Sequence, residues 1–285
     1  MKSIYWLASY PKSGNTWLRL LLANYRQPDG RPVGINDLGG SIAASRELFE
    51  EAVGIDSSEL SAAEIMRCRP QVYRALAART TEPLFIKVHD AHAFTPTGEA
   101  LFPPEVTSGV VYVARNPLDV VTSLAHHRGA TADEAIRFMC DERATVAVQP
   151  GRLDPQLPQV LGSWSGHVRS WLDGPLLRLH VLRYEDLLAD PASTFHAIVR
   201  FAGLPIDEAR IAAAAEATRF DRLQSQELEQ GFAERLAGST RPFFGHGVSG
   251  GWRDELTAAQ VGVLIDAHGE TMRRFGYLSD RGEPV

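Results

Sequence analysis

Short apolar runs alternate with longer amphipathic ones along this chain. Ile4 to Ala8, Leu84 to Val88, Gly109 to Ala114 and Leu179 to Leu182 are brief and apolar, and they read as strands, the first a buried parallel one. Helical patterns cover Thr16 to Arg26, Ala132 to Thr145, Val160 to Leu172, Pro191 to Ala202, Asp207 to Ala217 and Thr257 to Phe275, with a shorter one within Ser41 to Val53. Asn116 as cap, Pro117 at the first position and Asp119 in the first turn open another helix. Ser61 and Glu64 form a capping box for a helix reaching Arg67 or Cys68; Pro70 is expected to interrupt it before a further helix from Gln71 to Arg79. Pro28 to Gly40 and Gln149 to Pro158 are loops by composition. Phe220 to Gly251 is rich in glycine and is predicted to be a loop-rich, mobile lid.

Strands alternating with helices predict an α/β fold: a doubly wound parallel sheet flanked by helices. No repeat and no linker divides the chain, so a single domain over residues 1–285 is expected. Ligands of such sheets bind outside the carboxyl ends of the strands. Lys12, His89, Arg115 and Tyr184 each follow one of the four strands. That convergence points to one anionic ligand gripped by all four segments.

Charge and cysteine content narrow the classes. The net charge of −6 leaves no overall basic field for nucleic acid or an anionic membrane, so an anion site must be built locally. Cys68 and Cys140 are far apart, which excludes a disulfide scaffold or a zinc site and makes a reducing compartment the default. No basic-then-apolar leader opens the sequence, and no apolar run approaches membrane-spanning length. A soluble cytoplasmic protein is expected.

The stretch Ser9-Tyr10-Pro11-Lys12-Ser13-Gly14-Asn15-Thr16-Trp17 supplies the local anion site. Backbone N–H groups of a loop and of the following helical turn point at an anion, and the helix dipole favours its charge. Pro11 stiffens the exit from the strand, Gly14 permits close approach, Lys12 adds a mobile charge and Thr16 a hydroxyl. The lysine precedes the glycine by two residues, so the Walker A order is absent.

Tyr10 to Trp17 instead resembles the 5′-phosphosulfate loop of sulfotransferases that use 3′-phosphoadenosine 5′-phosphosulfate (PAPS). Val113 to Ser123, with Arg115 and Ser123, resembles the 3′-phosphate motif of the same family. Lys87-Val88-His89 matches its Lys-x-His signature. The resemblance implies a P-loop-like fold, PAPS as cofactor, adenosine 3′,5′-bisphosphate as product and no metal. His89 is then the general base, Lys12 neutralises the leaving oxygen, and Lys87 with loop N–H groups holds the sulfuryl oxygens. Among the residues alone, His92 competes with His89, and Asp90 could orient either ring.

Tyr184, Thr218, Phe220 and Trp17 resemble the residues that border the adenine, with Ser13, Gly14, Asn15 and Thr16 completing the phosphate loop. Phe243 to Arg253 resembles the last cofactor loop and brings in His246 and Gly247. Gly245-His246-Gly247 stands where the family carries Arg-Lys-Gly, so two cations are missing; Arg241 or Arg253 could compensate, or affinity could be weaker. Arg253 and Thr257 recur in a dimer motif of some members, but Gly262 replaces its acidic end, which leaves the oligomeric state open.

The implied partner is a small-molecule hydroxyl acceptor whose identity the cofactor motifs do not specify. Residues 35–59, 94–102, 126–157 and 225–244 are expected to line its pocket. The alternatives are an ATP-using P-loop relative and a non-catalytic nucleotide binder.

Overall fold

The structure, a computed structural model, describes residues 3–39, 41–148, 153–174, 177–235, 242–245 and 247–285. Its main sheet holds β1 (Ile4–Ser9), β2 (Leu84–Val88), β3 (Thr107–Ala114) and β6 (Leu179–Arg183), in the order β2-β1-β3-β6. These are the four strands that the apolar runs predict. β1 runs parallel to β2, with Ile4 opposite Leu84 and Ala8 opposite Val88. The very short β4 (Thr145–Val146) and β5 (Gln159–Val160) pair antiparallel. The helices are α1 (Asn15–Arg26), α2 (Arg46–Val53), α3 (Ala62–Ala78), α4 (Pro117–Arg128), α5 (Ala132–Cys140) and α6 (Trp164–Leu172). There follow α7 (Tyr184–Ala189), α8 (Pro191–Phe201), α9 (Glu208–Ala217), α10 (Phe220–Gln230), α11 (Trp252–Glu255) and α12 (Ala258–Arg274). The fold is α/β with a central parallel sheet and flanking helices.

The chain's contacts gather into two compact units, each built from separate segments: residues 1–10, 40–112 and 141–181, and residues 11–39, 113–140 and 182–285. In the first unit, every residue of β1 is buried. Trp6 is its centre: the indole N–H donates to Thr107 Oγ1 at 2.9 Å, and the rings of Tyr73 and Phe102 each lie 4.9 Å away. In the second unit, α1 packs on α9, and Leu20 joins Ile35, Leu223, Phe232 and Phe244 in an apolar cluster.

Three local expectations are corrected. Pro70 does not interrupt α3, which runs from Ala62 to Ala78 with the proline inside it. A mid-helix proline costs about 3 kcal/mol. Here that cost is offset because Ile65, Val72, Tyr73 and Ala77 are all buried, and each large apolar side chain contributes about 2 kcal/mol. The helix predicted over residues 132–145 stops at Cys140, and that predicted over 160–172 starts at Trp164, because residues at the near ends pair as β4 and β5.

The section from Phe220 opens as an eleven-residue helix rather than a loop. Leu223 and Glu227, one turn apart, are its buried face, and the glycines begin only at Gly231, whose φ of 71° ends it. By contrast, the capping box of Ser61 and Glu64 and the Asn116–Pro117 start of α4 form as predicted. Among the described residues, no helix is long and apolar enough to cross a membrane.

Candidate functional site

The second unit holds the loop after β1. Gly14 has φ 102°, and a Cβ there would lie 2.7 Å from Tyr184 Cδ2, so both the backbone and the neighbouring ring require glycine. Lys12 also adopts a left-handed backbone, with φ 68°. Its ammonium lies 3.6 Å from the centroid of the Phe243 ring, whose face supports a positive charge without neutralising it. Ser13, Asn15 and Thr16 are buried at the start of α1. Ser13 Oγ has no hydrogen-bond partner among the described residues.

Arg115 leaves β3 and crosses two loops. Its Nη1 donates to Lys12 O at 3.0 Å and its Nη2 to Val248 O at 3.3 Å, with the guanidinium 4.4 Å over the Tyr184 ring. Its Nε is buried and, among the described residues, unpartnered. A buried donor without an acceptor is costly, by about 1–3 kcal/mol. Two such groups, Ser13 Oγ and Arg115 Nε, in one anion-type loop region suit an anionic ligand. Ser123 is half-buried on α4.

The proposed adenine-bordering residues assemble in the same unit. Trp17 Nε1 donates to Thr218 Oγ1 at 3.3 Å, and the rings of Trp17 and Tyr184 meet edge-on at 5.8 Å. Gly247 has φ 60° and sits so close to Phe220 that a Cβ would lie 2.4 Å from that ring. His246 and Arg241 lie outside the described residues. Arg253, the other cation considered for the missing pair, stacks on Trp252 at 4.5 Å.

His89 belongs to the first unit, at the end of β2. Its Nδ1 lies 2.9 Å from Ser9 O, which can only accept, so Nδ1 carries the proton and Nε2 is the basic nitrogen. Lys87, two residues earlier, is buried, and its backbone bonds to Ser41 O and Ala43 N. Asp90 is paired with a residue of α3. Both its carboxylate oxygens are taken by Arg69, at 2.8 and 2.7 Å, in a fully buried pair. Burial works against the Arg69 charge, but Asp90 beside it holds the guanidinium above its ordinary value. His92 is buried and lowered in pKa by desolvation, among Phe94, Phe102 and Trp171.

Sequence reasoning missed the supports. Asp119 accepts from Gly250 N at 2.8 Å and Trp252 N at 3.2 Å, which holds the late glycine loop on α4. The buried Glu227 accepts from Phe243 N at 2.6 Å and Phe244 N at 2.8 Å, which fixes the ring under Lys12. Glu185 takes the Asn116 N–H at 2.9 Å; burial raises its carboxyl despite that bond. For Asp119 the signal was present, an acidic residue in a helix's first turn, but it reads as dipole complement alone. Glu227 and Glu185 carried no local signal.

The sequence model of the sulfotransferase domain matches residues 3–276. Rat sulfotransferase 1A1 is 25% identical over 92% of this chain and 81% of its own length. Mouse sulfotransferase 1B1 is 24% identical, covering 90% and 78%. Among solved structures, retinol dehydratase in complex with androsterone and inactive cofactor PAP aligns with a TM-score of 0.63 at 18% identity, covering 98% of this chain and 83% of that one. Mouse sulfotransferase SULT7A1 complexed with PAP gives 0.61 at 21% identity, covering 99% and 87%.

Proposed function

Because the chain belongs to the sulfotransferase domain family, we propose that it moves a sulfuryl group from PAPS to the hydroxyl of a small-molecule acceptor, by in-line displacement at sulfur. The observation that carries this reading is the His89 ring, whose Nδ1–H is fixed on Ser9 O so that Nε2 is the base. When bound, PAPS supplies the sulfuryl group and departs as adenosine 3′,5′-bisphosphate. His89 Nε2 takes the acceptor's proton, near-neutral imidazole chemistry suiting that task. Lys12 places its ammonium for charge developing on the leaving oxygen. Lys87 and the N–H groups of Ser13 to Thr16 hold the sulfuryl oxygens.

Ser13, Arg115 and Ser123 bind phosphate oxygens, and Trp17, Tyr184, Thr218 and Phe220 border the base, with Gly247 and His246 on the last cofactor loop. The two relatives solved with PAP support the cofactor, and the steroid in one of them supports a compact hydroxylated acceptor. The reading uses no metal ion and no nucleic acid, and places the reaction in the cytoplasm within a single catalytic domain. The test is transfer of labelled sulfur from PAPS across a panel of phenols, sterols and sugars. We expect label on at least one hydroxyl and release of the bisphosphate. Tight bisphosphate binding with no transfer to any acceptor would overturn the reading in favour of the non-catalytic alternative.

A further inference from the structure

At the end of β2, the backbone of the proposed base is gripped from α6. His167 and Trp171 stand about one helical turn apart. Their ring N–H groups donate to consecutive carbonyls: His167 Nε2 to His89 O at 3.0 Å, and Trp171 Nε1 to Asp90 O at 3.1 Å. A carbonyl only accepts, so His167 carries its proton on Nε2 and offers Nδ1 as an acceptor. The Tyr112 hydroxyl, 2.9 Å away, therefore donates to Nδ1. Tyr112 in turn takes a backbone hydrogen bond from Tyr10, the residue after β1. The Tyr10 ring stands edge-on to His167 at 5.5 Å. The ends of β1 and β2 are thus joined twice. One link is direct, from His89 Nδ1 to Ser9 O; the other is a buried one-way chain from Tyr10 through Tyr112 and His167 to the His89 carbonyl.

We propose that His167 is a positioning residue for the sulfuryl-transfer base: it fixes the His89 backbone so that the imidazole keeps its bond to Ser9 and Nε2 remains basic. The inference rests on His89 being that base. An ordinary core histidine needs only two partners of any kind. Here both partners lead to strand ends that carry site residues, and each donor's direction is dictated. His167 is fully buried, and desolvation pulls its pKa down to about 4, so it stays neutral while it holds the carbonyl. The titratable groups facing it are Tyr10, Tyr112 and His89, with Asp90 already paired to Arg69.

The test compares His167→Leu, which keeps bulk without a donor, with His167→Gln, which keeps a terminal N–H. In wild-type enzyme that transfers label from PAPS, we expect His167→Leu to lower kcat by about 10- to 100-fold with KM for PAPS little changed, and His167→Gln to regain most of it. Ring nitrogen shifts of His89, read by NMR without turnover, should report the Nδ1–H tautomer in wild type and His167→Gln and a mixture in His167→Leu. A folded His167→Leu with near-wild-type kcat, or with the His89 tautomer unchanged, would overturn the proposal. If that variant fails to fold, Tyr112→Phe is read the same way, with a fall in kcat expected and an unchanged tautomer decisive against. If wild type transfers nothing, the NMR still decides the positioning, while the loss counts against the reaction.

Discussion

The end of β2 and the loop after β1 solve opposite problems. Around His89, three backbone carbonyls are each met by a donor: Lys87 O by Ala43 N, His89 O by His167, Asp90 O by Trp171. The Asp90 side chain is closed off by Arg69. The loop after β1 is held too, by Arg115 on Lys12 O, yet it keeps Ser13 Oγ and Arg115 Nε buried without a partner among the described residues. One region is finished at these carbonyls and holds the proposed base. The other carries buried polar groups without a partner among the described residues, which suits a ligand. A base must hold its geometry before the acceptor arrives, whereas an anion cradle gains affinity from donors kept for the anion.

The largest effects should come from the two residues proposed for the chemistry, His89 and Lys12. His89→Ala is expected to lower turnover by about 10²- to 10⁴-fold, the usual range for a general base. Lys12→Ala should cost about 10²- to 10³-fold, as for removal of one electrostatic stabiliser. Both are read as transfer of labelled sulfur from PAPS, with circular dichroism showing the fold intact. Near-wild-type turnover by either variant would remove that residue from the proposed chemistry.

The next effect is on stability and probes the finished region. Arg69→Met strips the counter-charge from a buried Asp90, which should cost about 3–5 kcal/mol in urea unfolding. Adding Asp90→Leu should restore most of it, because the penalty comes from the lone charge rather than the lost pair. A single substitution that costs under about 1 kcal/mol would mean that water reaches Asp90.

These supports show how far the sequence could be read. The four strands were visible as short apolar runs, most plainly β1, which is buried along its whole length. Lys12 and Arg115 stood out because an anion site of this kind draws cations from just after strand ends, and they follow β1 and β3. Arg69 was not visible. It lies on a helix whose local rule, Pro70, argued for a break, and its partner Asp90 follows a different element. An acid beside a histidine suggests ring orientation, but both Asp90 carboxylate oxygens bond Arg69, which the sequence does not place beside it. His167 looked like core on an amphipathic helix. Its two nitrogens reach Tyr112 and the His89 carbonyl only in the folded chain, across 55 and 78 residues of sequence. Helix α10 was hidden by the glycines that follow it rather than by anything within it.

A smaller expected effect separates the same regions by pH. Burial lowers His167 from 6.5 to about 4. The unfolded chain therefore binds a proton below 6.5 that the folded chain refuses until about 4. The contribution to stability is intact above that window and is lost as pH falls through it, by about 3 kcal/mol at most. Other buried groups titrate as well, so the useful quantity is the difference between wild type and His167→Gln. The variant should lose less stability on acidification from neutral pH to pH 4. Parallel curves for the two proteins would mean that His167 is already hydrated.

The smallest effect is the sharpest test of the contrast, because its two readings move in opposite directions. Ser13 Oγ is buried, with the residue 1% exposed, and has no partner among the described residues. Ser13→Ala removes a polar group that the folded chain leaves unsatisfied, so unfolding free energy should stay level or rise by about 1 kcal/mol. The same change removes a donor from the proposed phosphate cradle, so affinity for adenosine 3′,5′-bisphosphate, measured by calorimetry, should fall by about five- to tenfold. A hydroxyl that served only the fold would do the reverse, lowering stability and leaving the bisphosphate untouched. The equivalent swap in the finished region, Tyr112→Phe, has no orphan to relieve and should lower stability, since it strips the donor from a buried His167. Gain or neutrality at Ser13 beside loss at Tyr112 would establish that the loop's polar groups are kept for an anion and those at the base for the protein.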